Sequence, residues 1–224
     1  MLKQNLEKVF ENIKNGNNFG EPITLVGATK MVTADVINQS IEFGLKVVAE
    51  NKVSEFREKY ELIKGASHHF IGHLQTNKVK YLVGKIDLIH SVDSIHLAKA
   101  ISEQAVKKNV VQDILVQINI GQEEQKSGFA PDETFDAVKE LESLPNVRVR
   151  GLMAMLPLSD DKTLLKNLCL QMREKFDKLK EEYEYFDYLS VGMSADYEIA
   201  IQNGSNMIRL GSTIFGKRNY GGTI

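Results

Sequence analysis

The chain has 224 residues, of which 42% are hydrophobic and 26% charged, a composition typical of a globular protein with a sizeable core. A net charge of -2 and the lack of a basic run give no reason to expect nucleic acid as a partner. No stretch has membrane-spanning length and no signal-peptide pattern opens the chain, which predicts a cytoplasmic protein without a membrane partner.

Apolar residues at helical spacing open the chain, and a repeated alternation of strands and helices follows. Leu2, Leu6, Val9 and Ile13 predict a first helix. Eight apolar runs of strand length come next, over 23–28, 46–49, 68–71, 87–92, 113–120, 147–153, 188–191 and 207–210. Helical patterns separate these runs, including 75–83, 94–108, 131–144, 164–182 and 195–202.

Strands that alternate with helices pair in parallel, because the helix supplies the crossover that parallel neighbours need. The sequence therefore predicts an α/β fold, a single (β/α)8 barrel of the TIM type with an extra N-terminal helix, spanning 1–224 as one domain. A doubly wound open sheet is the alternative, and eight units within this length favour the barrel. We expect a monomer, with the single cysteine, Cys169, packed in the core.

Polar residues stand at the carboxyl ends of the predicted strands, where barrels of this kind place their chemistry. Lys30 ends the apolar run GATK, and we expect its amine to point into the mouth of the barrel, where it could attack a carbonyl. A solvated lysine that caps the strand is the alternative for this residue alone. Asn51, Met153 and Met155 are further candidates for the mouth.

The turns after the seventh and eighth strands, VGMSAD and RLGST, each combine a glycine with a hydroxyl group. Glycine allows the backbone to approach an anion closely, and these two loops commonly hold phosphate in barrels. Ser194, Gly211 and Ser212 are therefore candidate phosphate binders. Two tight turns with N-caps at Ser194 and Ser212 are the alternative, and the agreement of the two loops favours phosphate.

Arg209 lies inside the last apolar strand and needs an acceptor if it points inward. It could form a structural ion pair with a carboxylate or donate to a ring nitrogen of a bound cofactor. His69 and His73 fall on opposite sides of a turn at Gly72, so we predict no metal site. The charged loop 121–128 is interpreted as a solvated loop or a lid without chemistry.

Segments along nearly the whole chain resemble the pyridoxal phosphate homeostasis proteins. They are ITLVGATK, AENKV, HFIGHLQTNK, SVDS, VQINIGQEEQKSG, RGLMAM, LSVGMSADYEIAI and IRLGSTIFGKR, in the order of the family. The chain departs from the family where AENK replaces GEN followed by an aromatic residue, and where GHL replaces GPL or GNL. The resemblance implies a barrel similar to that of alanine racemase, with pyridoxal 5′-phosphate (PLP) as cofactor.

The resemblance also implies a role for each matching residue. Lys30 matches the lysine that forms a Schiff base with PLP, and Arg209 matches the arginine that faces the pyridine nitrogen. The positions that match the phosphate binders are Ser194, Gly211 and Ser212. The positions near the polar edge and the face of the ring are Asn51, Met153 and Met155.

The resemblance implies a carrier or regulator in PLP homeostasis, with PLP-dependent apoenzymes as possible recipients and no strong catalytic activity. Racemases of this fold take a second base from an additional domain, and the last segment, FGKRNYGGTI, is too short to supply one. A racemase-like enzyme of low activity is the alternative, with His73 or Tyr197 as its second acid or base. An enzyme that forms a Schiff base with a phosphorylated sugar would use the same lysine and loops.

Overall fold

Eight parallel strands close into one barrel in the computed structural model, which describes residues 1–216. Neighbouring strands pair in sequence order, and the last strand pairs with the first. The strands are β1 (Thr24–Ala28), β2 (Val47–Glu50), β3 (Ser67–Phe70), β4 (Leu88–Val92), β5 (Gln112–Ile118), β6 (Val147–Ala154), β7 (Tyr188–Ser190) and β8 (Met207–Leu210). The predicted (β/α)8 barrel is confirmed.

Helices precede the first strand and cover the outside of the barrel. They are α1 (Leu2–Ile13), α2 (Ala34–Glu42), α3 (Val53–Lys59), α4 (Ile95–Lys108), α5 (Thr134–Glu142), α6 (Lys162–Glu182), α7 (Tyr197–Gln202) and α8 (Ser212–Phe215). The crossover between β3 and β4 differs from the predicted α-helix, because it is a 3-10 helix, Thr76–Tyr81. This short segment buries only Val79, so burial does little to favour the wider α-helical turn.

The apolar core has an outer part between helices and strands and an inner part inside the barrel. The helix α1 buries Leu6, Val9 and Ile13 and packs against α2 and α8. The inner part is filled by Val26, Ala49, Leu88, Leu115, Met153 and Met207. These side chains fill the interior, so the barrel is a packed core with its concave surface at the carboxyl ends of the strands.

Cys169 is buried, as predicted. Burial, with a smaller contribution from the negative charge of Asp196, raises the pKa of its thiol to about 12. Within residues 1–216, no helix is both long enough and apolar enough to cross a membrane. The interpretation of the last segment of the chain concerns mainly residues 217–224, which lie outside the described part. The assignment of the whole chain to one domain stays a prediction.

Candidate functional site at the barrel mouth

Two adjoining cavities lie at the carboxyl ends of the strands. The main cavity has a volume of about 470 Å3 and is lined by Ala28, Asn51, Ile71, Met155, Met193, Ser194, Ala195, Arg209, Gly211 and Ser212. The second, the Lys30 cavity, has about 290 Å3 and shares Ala28, Gly211 and Ser212 with the first. Their sizes suit a small organic ligand.

Lys30 follows β1 in a turn that is held by side chains from β2 and α3. Its side chain is half-buried and lines the second cavity. On one side, the Thr29 hydroxyl donates to Glu50 Oε1 at 2.7 Å. On the other side, the Met31 backbone N–H donates to Glu55 Oε2 at 2.7 Å, and Met31 has a left-handed φ of 62°. The two residues that flank Lys30 are thus fixed by hydrogen bonds to neighbouring side chains.

Glu50, Glu55 and Lys59 form a cluster on the outside of this turn, here called the outer ion cluster. The Lys59 ammonium lies 2.9 Å from Glu50 Oε1 and 3.0 Å from Glu55 Oε2. It also donates to the Thr29 carbonyl oxygen at 3.1 Å. The only signal in the sequence was the spacing of Glu55 and Lys59, four residues apart on a short helix.

The two carboxyl groups of the outer ion cluster shift in opposite directions. Burial raises the pKa of Glu50, although hydrogen bonds from Thr29 and Lys59 act against it. Burial also acts to raise the pKa of Glu55, but hydrogen bonds from the Met31 backbone and from Lys59 outweigh it and lower that pKa. Glu50 therefore depends on Lys59 to stay ionised in its buried position.

The loops after β7 and β8 meet at Ser194, as the sequence suggested. Ser194 Oγ accepts hydrogen bonds from the backbone N–H groups of Gly211 and Thr213, each at 3.3 Å. Ser194 is not an N-cap, because α7 begins later, after Asp196. Gly192 precedes this loop at a φ of 103°, where a Cβ atom would lie 2.8 Å from the Cβ of Ala200. The loop conformation therefore requires glycine at this position.

Arg209 lines the main cavity but is almost entirely buried, with 4% of its surface exposed. It donates from Nη1 to the backbone oxygen of Ser190 at 2.7 Å and from Nη2 to that of Ala154 at 2.9 Å. Among residues 1–216 it forms no salt bridge with a carboxylate, which argues against a structural ion pair. Burial lowers the pKa of Arg209 to about 10, with Asp196 acting in the opposite direction, so the guanidinium stays charged at neutral pH.

Asn51 and the two methionines lie at different depths. Asn51 lines the main cavity, and its backbone oxygen is so close to Gly72 that a Cβ there would approach it to 2.0 Å. Met155 also lines the cavity. Met153 instead lies in the inner core with 1% of its surface exposed and is not part of the cavity lining. Both methionines were candidates for the mouth, and Met155 is the one that lines the cavity.

His73 and Tyr197 lie away from the main cavity. His73 lines a separate cavity of about 280 Å3 together with Lys52, and its Nδ1 is 3.3 Å from Asp93. The Tyr197 hydroxyl accepts a hydrogen bond from Asn12 and donates to Glu198 on the side of α1. Neither residue lines the main cavity or the Lys30 cavity.

The loop 121–128 folds back on the barrel. Asn119 Nδ2 donates to the carbonyl oxygens of Glu123 and Lys126, and the Lys126 ammonium donates to that of Leu156 at 3.0 Å.

Within the described part of the chain, no group of three or more histidine, cysteine, aspartate or glutamate residues could hold a metal ion.

Comparison with known proteins gives matches along nearly the whole chain. The family described as alanine racemase, N-terminal domain, matches residues 5–219. The pyridoxal phosphate homeostasis protein of Aquifex aeolicus is 42% identical over 220 residues, which cover 97% of this chain and 95% of that protein.

Solved structures match in the same way. PipY of Synechococcus elongatus PCC7942, solved with PLP bound, has a TM-score of 0.84 at 27% identity, with 96% of this chain and 100% of that chain covered. An alanine racemase of Clostridium difficile 630 has a TM-score of 0.79 at 18% identity, and 57% of its length is covered. This last similarity concerns the fold.

Proposed function

The chain belongs to the alanine racemase N-terminal domain family and to the pyridoxal phosphate homeostasis proteins, and on this basis we propose that it binds PLP at the mouth of its barrel. The aldehyde carbon of PLP forms a Schiff base with the amine of Lys30. The protein acts in PLP homeostasis as a carrier or regulator.

Arg209 carries this proposal, because it is a buried cation at the edge of an open cavity. A buried charge is costly unless it is paired or hydrogen-bonded, and its neighbours within residues 1–216 are only neutral acceptors. A ligand with an acceptor atom on the cavity side completes its surroundings. The ring nitrogen of PLP is such an acceptor.

The remaining lining residues fit the other ends of the cofactor. Lys30 lies in the adjoining cavity, which shares Gly211 and Ser212 with the main one. These two residues follow β8, and together with Ser194 from the loop after β7 they form the surface proposed to hold the phosphate, where backbone N–H groups favour an anion. Asn51 and Met155 are proposed to contact the polar edge and the ring, and Met153 supports them from the layer below.

The same lining favours a carrier over an enzyme. Bound PLP supplies an electron-withdrawing ring, but a permanent cation opposite the ring nitrogen disfavours its protonation and weakens that effect. Among the described residues that line the two cavities, Lys30 and Arg209 are the only titratable ones. A racemase needs a second acid or base opposite the lysine. Recipient apoenzymes, a monomeric state and a cytoplasmic location stay predictions.

Borohydride reduction tests the linkage. Reduction of the protein loaded with PLP should attach a phosphopyridoxyl group to Lys30, as read by peptide mass spectrometry. Lys30→Ala should lose both the label and the visible absorbance, whereas Lys52→Ala, which removes a lysine from the neighbouring cavity, should keep them. A label on another lysine, or no label, would contradict the proposal.

Deuterium exchange separates the carrier from a racemase-like enzyme. The loaded protein is incubated with single amino acids in deuterated water, and exchange at Cα is followed by NMR. A carrier should give exchange no faster than free PLP does. Fast exchange that disappears in Lys30→Ala would favour the enzyme.

A further inference from the structure

A chain of hydrogen bonds crosses the barrel interior from Arg209 to the opposite wall. Arg209 Nη1 donates to Ser190 Oγ at 2.6 Å, Ser190 Oγ lies 3.1 Å from His90 Nδ1, and His90 Nε2 lies 2.9 Å from His69 Nδ1. The four residues come from β8, β7, β4 and β3. We call Ser190, His90 and His69 the interior chain. All of them are buried.

Two proton arrangements fit these distances. In one, His90 Nδ1 donates to Ser190 Oγ, and the buried hydroxyl proton then has no acceptor among the described residues. The other gives the hydroxyl an acceptor, and we adopt it. Arginine can only donate, so Ser190 Oγ must accept from it, and the single hydroxyl proton is then free for His90 Nδ1. His90 Nδ1 is therefore an acceptor, and its proton sits on Nε2. That proton is donated to His69 Nδ1, which leaves the proton of His69 on its own Nε2.

The surroundings keep both histidines neutral, as this arrangement requires. Burial lowers the pKa of His69 to about 4, and it lowers the pKa of His90 well below the usual value, with further contributions from His69 and Arg209. A proton on His90 Nδ1 would remove the acceptor for the Ser190 hydroxyl. Protonation of both ring nitrogens of His90 would place a second cation near Arg209, in an interior where charges are poorly solvated.

The contacts of Arg209 with the protein also determine which of its N–H donors remain free. A guanidinium has five N–H groups. Three of them are used by the Ser190 backbone oxygen, Ser190 Oγ and the Ala154 backbone oxygen. The other two have no acceptor within the described residues, and Arg209 lines the main cavity. The contacts to Ser190 and Ala154 therefore fix the plane of the group and leave these two donors for a ligand.

We propose that Ser190, His90 and His69 are positioning residues, which hold Arg209 so that one of its two free N–H groups can donate to the ring nitrogen of PLP. This role rests on the proposed function of the site. The barrel interior also holds apolar side chains, and an apolar side chain at His90 would fill the space without the cost of burying polar groups. The interior chain instead sets the orientation and hydrogen-bonding state of Arg209.

NMR of the wild-type protein without PLP tests the proton arrangement directly. Spectra that correlate the imidazole nitrogens with the ring protons should show His90 neutral, with Nδ1 unprotonated and Nε2 protonated. A proton on His90 Nδ1, or a charged His90, would overturn the proposal. This measurement needs no variant and no ligand.

Variants test the effect on the cofactor. His90→Phe should weaken PLP binding about fivefold to tenfold, the loss expected for one buried hydrogen bond. It should also shift the signal of 15N-labelled PLP towards a protonated ring nitrogen. His90→Asn keeps an acceptor near the position of Nδ1 and should restore the affinity to within about threefold of wild type.

Leu115→Ala is the matched control, because Leu115 is buried in the same inner core and takes no part in the chain. It should reduce stability while changing the affinity less than about twofold. If His90→Phe changes the affinity and the ring-nitrogen signal no more than Leu115→Ala does, the interior chain is only structural. A wild-type protein that binds no PLP would instead overturn the proposed function itself, and with it this role.

Discussion

Replacing Lys59 with methionine should destabilise the barrel strongly, because it removes the cation from a buried carboxylate. Glu50 is 5% exposed, and its Oε1 lies 2.9 Å from the Lys59 ammonium. Breaking a buried pair by removing one partner costs about 3 to 5 kcal/mol. We expect about 3 kcal/mol, because 13% of the Lys59 side chain remains exposed to solvent. For a chain of this length, this loss lowers the Tm by about 6 to 12 °C.

The loss of stability in Lys59→Met should depend on pH, and the shifted pKa of Glu50 determines the direction of this dependence. The pKa of Glu50 is raised in the folded protein, so its protonated form is favoured there, and this contribution to stability is lost as pH rises through the folded pKa. Without Lys59, that pKa rises further. The penalty measured by urea unfolding should therefore be larger at about pH 7.5 than at about pH 5.5, because a raised pKa makes protonation of Glu50 easier as the pH falls.

Two comparisons make the test specific to this pair. Glu50→Gln combined with Lys59→Met should recover at least about 1 kcal/mol of the loss, because no buried charge is left without a partner. Lys52→Met removes an exposed lysine from the same region and should change stability by less than about 0.5 kcal/mol. A penalty below about 1 kcal/mol for Lys59→Met, or an equal penalty at both pH values, would refute the reasoning.

Three further outcomes follow from the loops and from the packing of α6. Ser194→Ala should weaken PLP binding about twofold to tenfold in a fluorescence titration, because the turn after β8 loses its acceptor. Gly192→Ala should lower stability by at least about 1 kcal/mol in urea unfolding, because its Cβ would meet Ala200 at 2.8 Å and φ is positive. Burial acts to raise the pKa of Glu21, but hydrogen bonds led by the one from Arg173 outweigh it and lower that pKa. The free energy of unfolding should therefore fall as the pH drops below 4.5, the ordinary pKa of the group. Glu21→Gln should flatten this decline in an acid titration of the Tm.

The sequence predicted the barrel well, because each of its signals is local. Alternating strand and helix patterns need only a few consecutive residues to be recognised, and parallel order then places the strand ends on one face. Lys30, Ser194, Gly211 and Arg209 were found in this way, and all four line the cavities at the mouth. Their roles towards the cofactor came from the family resemblance.

The residues that hold these side chains in place could not be read from the sequence, because their partners are far apart along the chain. His90 and Ser190 are separated by 100 residues, and Thr29 and Glu50 by 21. A strand pattern tells which face a residue occupies but not which atoms meet across the barrel. Met153 shows the same limit, since the sequence grouped it with Met155 at the mouth and the structure places it in the inner core.

The two ends of the proposed site are fixed by separate groups of buried residues. The outer ion cluster holds the turn that carries Lys30, through Thr29 and Met31. The interior chain holds Arg209 from inside the barrel. No residue belongs to both groups, and each consists of contacts between protein atoms, so the two ends of the proposed site are held separately.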